Sequence, residues 1–238
     1  MKLLAIETAT ESCSAALLGD DCLLTRSQLA PRRHTELLLP MCEELLAEAG
    51  IKRRDLDAIA VGRGPGAFTG VRLAISAAQG IALALGIPVV PVSSLAALAM
   101  QAPDNGAPIL AVIDARMGEI YAGAFRRTAD GLVEPIGVES VGNADVLQLP
   151  EASVWNVVGS GWTSYRDALA ARLPAAPLWA DGERYPQAVD VARLAAPLAR
   201  DGHSVAPEYA LPVYLRDKVA LTTAEQVGAR KHRLENGI

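Results

Sequence analysis

Aromatic residues make up only 4% of this 238-residue chain, and its cysteines are three, Cys13, Cys22 and Cys42. So few aromatics argue against a base-stacking platform, which needs exposed Phe, Tyr or Trp rings. An odd cysteine count without C-x-x-C spacing is neither a disulfide framework nor a zinc site, and free thiols fit a reducing cytoplasm. Basic excess is missing too: 22 Lys and Arg against 27 Asp and Glu leave a net charge of −5, no general field for a phosphate backbone. Met1 to Ile6, soon broken by Glu7, is too short for a signal sequence, and the charge-free helical run Leu73 to Leu85 is too short to span a bilayer. No Walker lysine, G-x-S-x-G, H-E-x-x-H or EF-hand loop occurs, and His34, His203 and His232 lie far apart in sequence. The expectation is a cytoplasmic protein, not a membrane one, with no catalytic residue, metal or cofactor supported by spacing.

What is present is a foldable α/β pattern. Hydrophobic residues are 51% and charged residues 21%, a balance that excludes disorder, and a chain of this length buries roughly 70–75% of its unfolded surface. Strands are expected at Leu3–Ile6, Ser12–Leu18 and Cys22–Gln28, then a helix Thr35–Ala49 with Pro40 inside and Gly50 as its stop. A strand Leu56–Val61, a glycine-rich loop, a helix Thr69–Leu85 and a strand Pro88–Val92 follow. Gln101 to Pro108 reads as a linker. Beyond it the order recurs: strands at Ile109–Ile113, Glu119–Phe125 and Leu132–Val141, a short helix near Ala144, a strand near Val154–Val158, and helices at Thr163–Arg172 and Gln187–Arg200. This duplicated β-β-β-α-β-α order predicts two lobes, 1–100 and 101–221, with a polar tail over 222–238 that carries Arg230-Lys231-His232-Arg233. The architecture resembles the actin–hexokinase–Hsp70 fold, in which acidic ends of the first strand of each lobe flank nucleotide phosphates across a cleft. Glu7 with Thr8, and Asp114 with Gly118, stand where such contacts would be.

Gly62-Arg63-Gly64-Pro65-Gly66-Ala67 lies between a strand and a helix. It is either a tight turn that brings the helix close to the sheet or an anion-binding loop; the next strand lacks the acid a dinucleotide site wants. Asp114 to Tyr121 reads as a hairpin with an internal Arg116–Glu119 pair, or as a phosphate-side turn. His34 precedes a helix start, and Pro212 to Arg216 is a short strand or turn. Placed at 100° per residue, Leu37, Leu38, Leu39, Met41, Cys42, Leu45 and Leu46 cover a wider arc of the first helix than one sheet needs, and the second helix is apolar almost all round. The surplus is either the chain's own core or a partner face; two adjacent helices sharing it favour the partner. Leu37, Met41, Val71, Ile75 and Ala78 are the expected partner contacts, with Leu38, Cys42, Leu45 and Leu46 turned to the sheet.

Four runs, Ala5 to Thr10, Gly64 to Arg72, Asp114 to Tyr121 and Tyr214 to Arg216, together resemble the TsaB (YeaZ) family, over about the whole chain up to residue 220. The resemblance implies a non-catalytic role in making threonylcarbamoyladenosine in tRNA, next to the anticodon. It implies partnership with the transferase TsaD, a paralogue of the same fold, and the ATPase TsaE. It further implies self-pairing of the two helices when TsaD is absent, and contact with tRNA only through the complex. TsaD holds a metal through H-x-x-x-H; the matching positions here are Ser94 and Leu98. Asp104-Asn105-Gly106-Ala107 echoes a TsaD run but lies in the linker. The alternative reading is an ATP-dependent phosphotransferase of the same superfamily, with Gly159-Ser160-Gly161 as its only adenine-loop candidate.

Overall fold

The computed structural model describes residues 1–216; the expected tail at 222–238 and its basic run lie outside the described residues. The first sheet runs β3-β2-β1-β4-β5, from β1 (Leu3–Glu7), β2 (Ser12–Leu18), β3 (Leu23–Leu29), β4 (Ala58–Gly62) and β5 (Val89–Val92). β1 pairs antiparallel with β2, Leu3 opposite Leu18, and parallel with β4, Leu3 opposite Ala58. Every residue of β1 and β4 is buried, as expected of strands covered on both faces. Leu4, Ile6, Ile59 and Val61 point to one side, under α1 (His34–Ala49) and α2 (Phe68–Leu85); Leu3, Ala5, Ala58 and Ala60 point to the other. Gly50 and Gly86, both left-handed, close the two helices. α2 has 18 residues and a mean hydropathy of 1.5, long and apolar enough by length and composition to cross a membrane. It is longer than the charge-free run within it, and here it lies on β4 beside α1.

The second sheet repeats the plan in the order β11-β10-β6-β7-β8, with β9 also on β7. Its strands are β6 (Ile109–Arg116), β7 (Glu119–Arg127), β8 (Val133–Pro135), β9 (Ser140–Asn143), β10 (Asn156–Val158) and β11 (Trp179–Asp181), with α4 (Ser160–Arg172) between the last two. The strand expected over Leu132–Val141 is split, because Pro135 and Gly137 break the ladder between β8 and β9. The helix expected near Ala144 is a single 3-10 turn, Ala144–Val146, so among the described residues this lobe has no counterpart of α1. β11 and a six-residue helix, α3 (Ser94–Ala99), capped by the Ser93 hydroxyl, are additions to the sequence pattern.

The two lobes exchange their last helices. α3 follows the first sheet but packs on β6, β7 and β8 of the second; α5 (Ala188–Arg200) follows the second but packs on β1, β2, β4 and β5 of the first. The helices touch each other, and one apolar cluster runs through Leu3, Val90, Leu95, Ile109, Phe125 and Val191. Residues 205–213 then return to the first lobe, where Val205 bridges Val89 and Val213 bonds Arg63.

Candidate functional site

At the end of β1 the chain turns through Thr8 and Ala9 beneath the glycine-rich loop. Glu7 and Thr8 are both 0% exposed. The Ala9 N–H donates to Glu7 Oε1 at 2.6 Å, the Ser94 hydroxyl donates to Oε2 at 2.7 Å, and the Thr8 hydroxyl donates to the Gly70 carbonyl at 2.7 Å. Burial pushes the Glu7 pKa up, against the pull of the Ser94 and backbone hydrogen bonds. A Cβ at Gly62 would stand 2.0 Å from Glu7 Oε2, one at Gly66 2.3 Å from the Ala9 carbonyl, and one at Gly70 2.0 Å from the Thr8 carbonyl. Small residues therefore let the loop and α2 close directly on the β1–β2 turn, and the Ala67 N–H is spent on the Ala9 carbonyl at 2.7 Å. The loop packs as a tight turn against the β1–β2 turn. Glu7 and Thr8, expected beside a phosphate, are instead sealed under it.

Across the cleft, Asp114 accepts the Arg116 N–H at 2.8 Å, the Arg116 guanidinium at 3.2 Å, and the Ser164 and Tyr165 hydroxyls at 3.3 Å each. Arg116, Met117 and Gly118 all have positive φ, +84° at Gly118, so Gly118 serves the hairpin turn. Arg116 pairs with Asp114 and Glu11 and not with Glu119; Glu119 pairs with Arg216. A strap of the last described residues crosses the cleft. The Gln79 amide donates to the Ala210 carbonyl at 3.2 Å and the Val213 N–H to the Arg63 carbonyl at 2.9 Å, while Arg216 reaches the Ala115 carbonyl at 3.1 Å. Phe68 stacks on Tyr214 with ring centroids 5.9 Å apart, and Arg72 Nε donates to the Tyr214 hydroxyl at 2.6 Å. About 240 Å³ remains open between Thr10, Phe68, Asp114, Tyr121 and the strap. Gly159 and Gly161 abut Val112, so that turn packs α4 onto β6.

The positions matching the paralogue's histidines do not fit a metal. Ser94 is committed to Glu7, and Leu98 is a fully buried core side chain. His34 Nε2 lies 2.9 Å from the Thr10 carbonyl and ties α1 to the β1–β2 turn. Burial pushes the Cys13 thiol up to about 11 and the Cys42 thiol to about 12, so neither is a ready nucleophile.

The helix pair offers a different surface from the one expected. Met41 (8% exposed), Val71 (2%), Ile75 (4%) and Ala78 (0%) belong to the chain's own core, and Leu37 is half-buried. Met41 lies three residues after Leu38 and four before Leu45, on the arc that faces the sheet. The partner face assigned to Met41, Val71, Ile75 and Ala78 is thus turned inward. On the two helices the large apolar side chains left outside are Leu39 (53%), Leu83 (73%) and Phe68 (46%), the last stacked on Tyr214; Gly80 and Ala84 are exposed as well. Leu39, Leu46, Ile81, Ala84 and Leu85 line a trough of about 450 Å³ between α1 and α2, and Glu43 pairs with Arg53 at its rim at 2.6 Å.

Comparison with known proteins agrees with this geometry. The family model described as TsaD, tRNA N6-adenosine threonylcarbamoyltransferase, matches residues 26–223. A curated Escherichia coli protein named tRNA threonylcarbamoyladenosine biosynthesis protein TsaB is 40% identical over 92% of this chain and 96% of its own length. The Haemophilus influenzae protein of the same name is 34% identical, covering 92% and 95%. Among solved structures, YeaZ from Pseudomonas aeruginosa superposes with a TM-score of 0.83 at 42% identity, covering 90% of this chain and 99% of that one.

Proposed function

Because the chain belongs to the TsaB family, we propose that it works in forming threonylcarbamoyladenosine in tRNA, as the accessory subunit of a threonylcarbamoyltransferase complex. The observation that carries this reading is its similarity to the curated TsaB proteins over nearly their whole length. The transfer itself falls to a TsaD-type partner; in this chain Ser94 and Leu98 are spent on internal packing. The phosphotransferase alternative would need Glu7 and the glycine loop free to meet phosphate, whereas Glu7 is hydrogen-bonded to Ala9 and Ser94 and the loop packs on Ala9.

The partner docks on the α1–α2 face, where its own matching helices fill the trough lined by Leu39, Ile81 and Ala84. A second copy occupies the same face when the partner is absent. TsaE joins the assembly through the pair, and tRNA is reached through the complex, since a chain at −5 has no general attraction for it. The site of work is the cytoplasm. The test is depletion of this protein in its own cells, with threonylcarbamoyladenosine in bulk tRNA measured by nucleoside mass spectrometry. The modification is expected to fall and to return with the wild-type chain. Undiminished modification after full depletion would overturn the reading.

A further inference from the structure

Beyond the strap, on the side away from the α1–α2 face, an open cavity of about 550 Å³ lies between the lobes. It lies at the carboxyl ends of β4 and β5, where open α/β sheets take small ligands. Its wall is apolar: Val92, Ala96, Phe125, Val133, Leu194 and Leu198. At one end three polar side chains converge. The Arg63 side chain, from the first lobe, is 30% exposed, and that of Glu139, from the second, 15%. Their closest approach is 4.0 Å, between Arg63 Nη2 and Glu139 Oε2. Glu139 Oε1 accepts the Ser93 hydroxyl, which leaves Oε2 facing Arg63 across the gap.

A cation and an anion held side by side but not closed on each other, at the mouth of an apolar cavity, match a ligand carrying both charges. We propose that this cavity binds a zwitterionic α-amino acid with a large apolar side chain. Its carboxylate meets the Arg63 guanidinium, its ammonium meets Glu139 Oε2, and its side chain enters the Phe125–Leu194 wall. A ligand with an anionic head alone would face Glu139 unpaired, and an amine alone would face Arg63. Because Arg63 and Glu139 belong to different lobes, the bound amino acid clips the lobes together.

The probe is L-phenylalanine, about a dozen non-hydrogen atoms, for which binding in the roughly millimolar range is expected. Titration of the full chain, followed by ligand-observed NMR and by the melting temperature, should show saturable binding and a rising melting point. N-acetyl-phenylalanine and phenylalanine amide, each lacking one charge, should bind at least about fivefold more weakly. Glu139→Gln, which can still accept from Ser93, should erase the difference between phenylalanine and its N-acetyl form. Arg63→Gln should erase the difference between phenylalanine and its amide. Ala96→Leu, which fills the cavity without touching either charge, should abolish binding and leave the circular dichroism unchanged. The proposal is overturned if phenylalanine shows no saturable binding up to its solubility, or if the three compounds bind alike. It is equally overturned if Ala96→Leu binds as the wild type does.

Discussion

Asp190 is the residue whose burial has the clearest consequence in solution. It sits in the first turn of α5 at 4% exposure, with Arg193 Nη1 3.4 Å from its Oδ1. Burial raises its pKa from 3.8 to about 6, against the opposing pull of Arg193 and Arg127. The folded state therefore holds the proton more tightly than the unfolded state. Its contribution is full below the unfolded value and is lost as pH rises through about 6. Asp190→Asn should be more stable than the wild type by about 1–3 kcal/mol near neutral pH, with the difference vanishing in acid. Urea unfolding of both chains across that range is the check; equal stability at neutral pH would show that the carboxylate is not strained. Glycines divide by what surrounds them. Gly70→Ala would drive a Cβ to 2.0 Å from the Thr8 carbonyl, where backbone stands on both sides, and should cost about 2–4 kcal/mol in the same assay. Gly118→Ala meets open space and only the φ of +84°, so its cost should stay near 1 kcal/mol.

At the scale of elements, α1 separates what periodicity can say from what it cannot. The helix, its length and its apolar surplus were legible, because Leu38, Leu45 and Leu46 recur at helical spacing and Gly50 stops the run. Which edge faced outward was not, since Met41 and Leu39 are equally apolar and only the neighbours of α1 decide between them. The same holds at the cleft. An acid at the end of β1 was visible in the letters, whereas its closure under Gly62 depends on a residue 55 positions later. α3 escaped notice because six residues give no period to read. The corrected faces carry opposite expectations for two substitutions. Met41→Glu places a charge in the chain's own core and should destabilise it by several kcal/mol, visible as lost circular dichroism at ordinary temperature. Leu39→Glu, 53% exposed and lining the trough, should leave the melting temperature nearly unchanged and abolish capture of the TsaD-type partner. If Leu39→Glu still captures it, the partner does not sit in the α1–α2 trough.

For the whole molecule, the exchange of α3 and α5 makes one cooperative unit of two lobes. A fragment of residues 1–100 lacks α5, and its first sheet would open Leu3, Ala5, Ala58 and Ala60 to water. Such a fragment should be insoluble or unfolded, while the full chain should unfold in a single urea transition by both fluorescence and circular dichroism. Two separable transitions would mean that the shared core is weaker than its burial implies. The exchange also sets an order in time. During synthesis the strands of the first sheet leave the ribosome long before Ala188–Arg200, the helix that covers them, has been made. At about 5–20 residues per second the gap lasts several seconds or more. Through that interval the nascent chain carries a bare apolar sheet, a natural client for a ribosome-associated chaperone, and stalled ribosomes arrested before residue 188 should retain that chaperone while those arrested well past residue 200 release it.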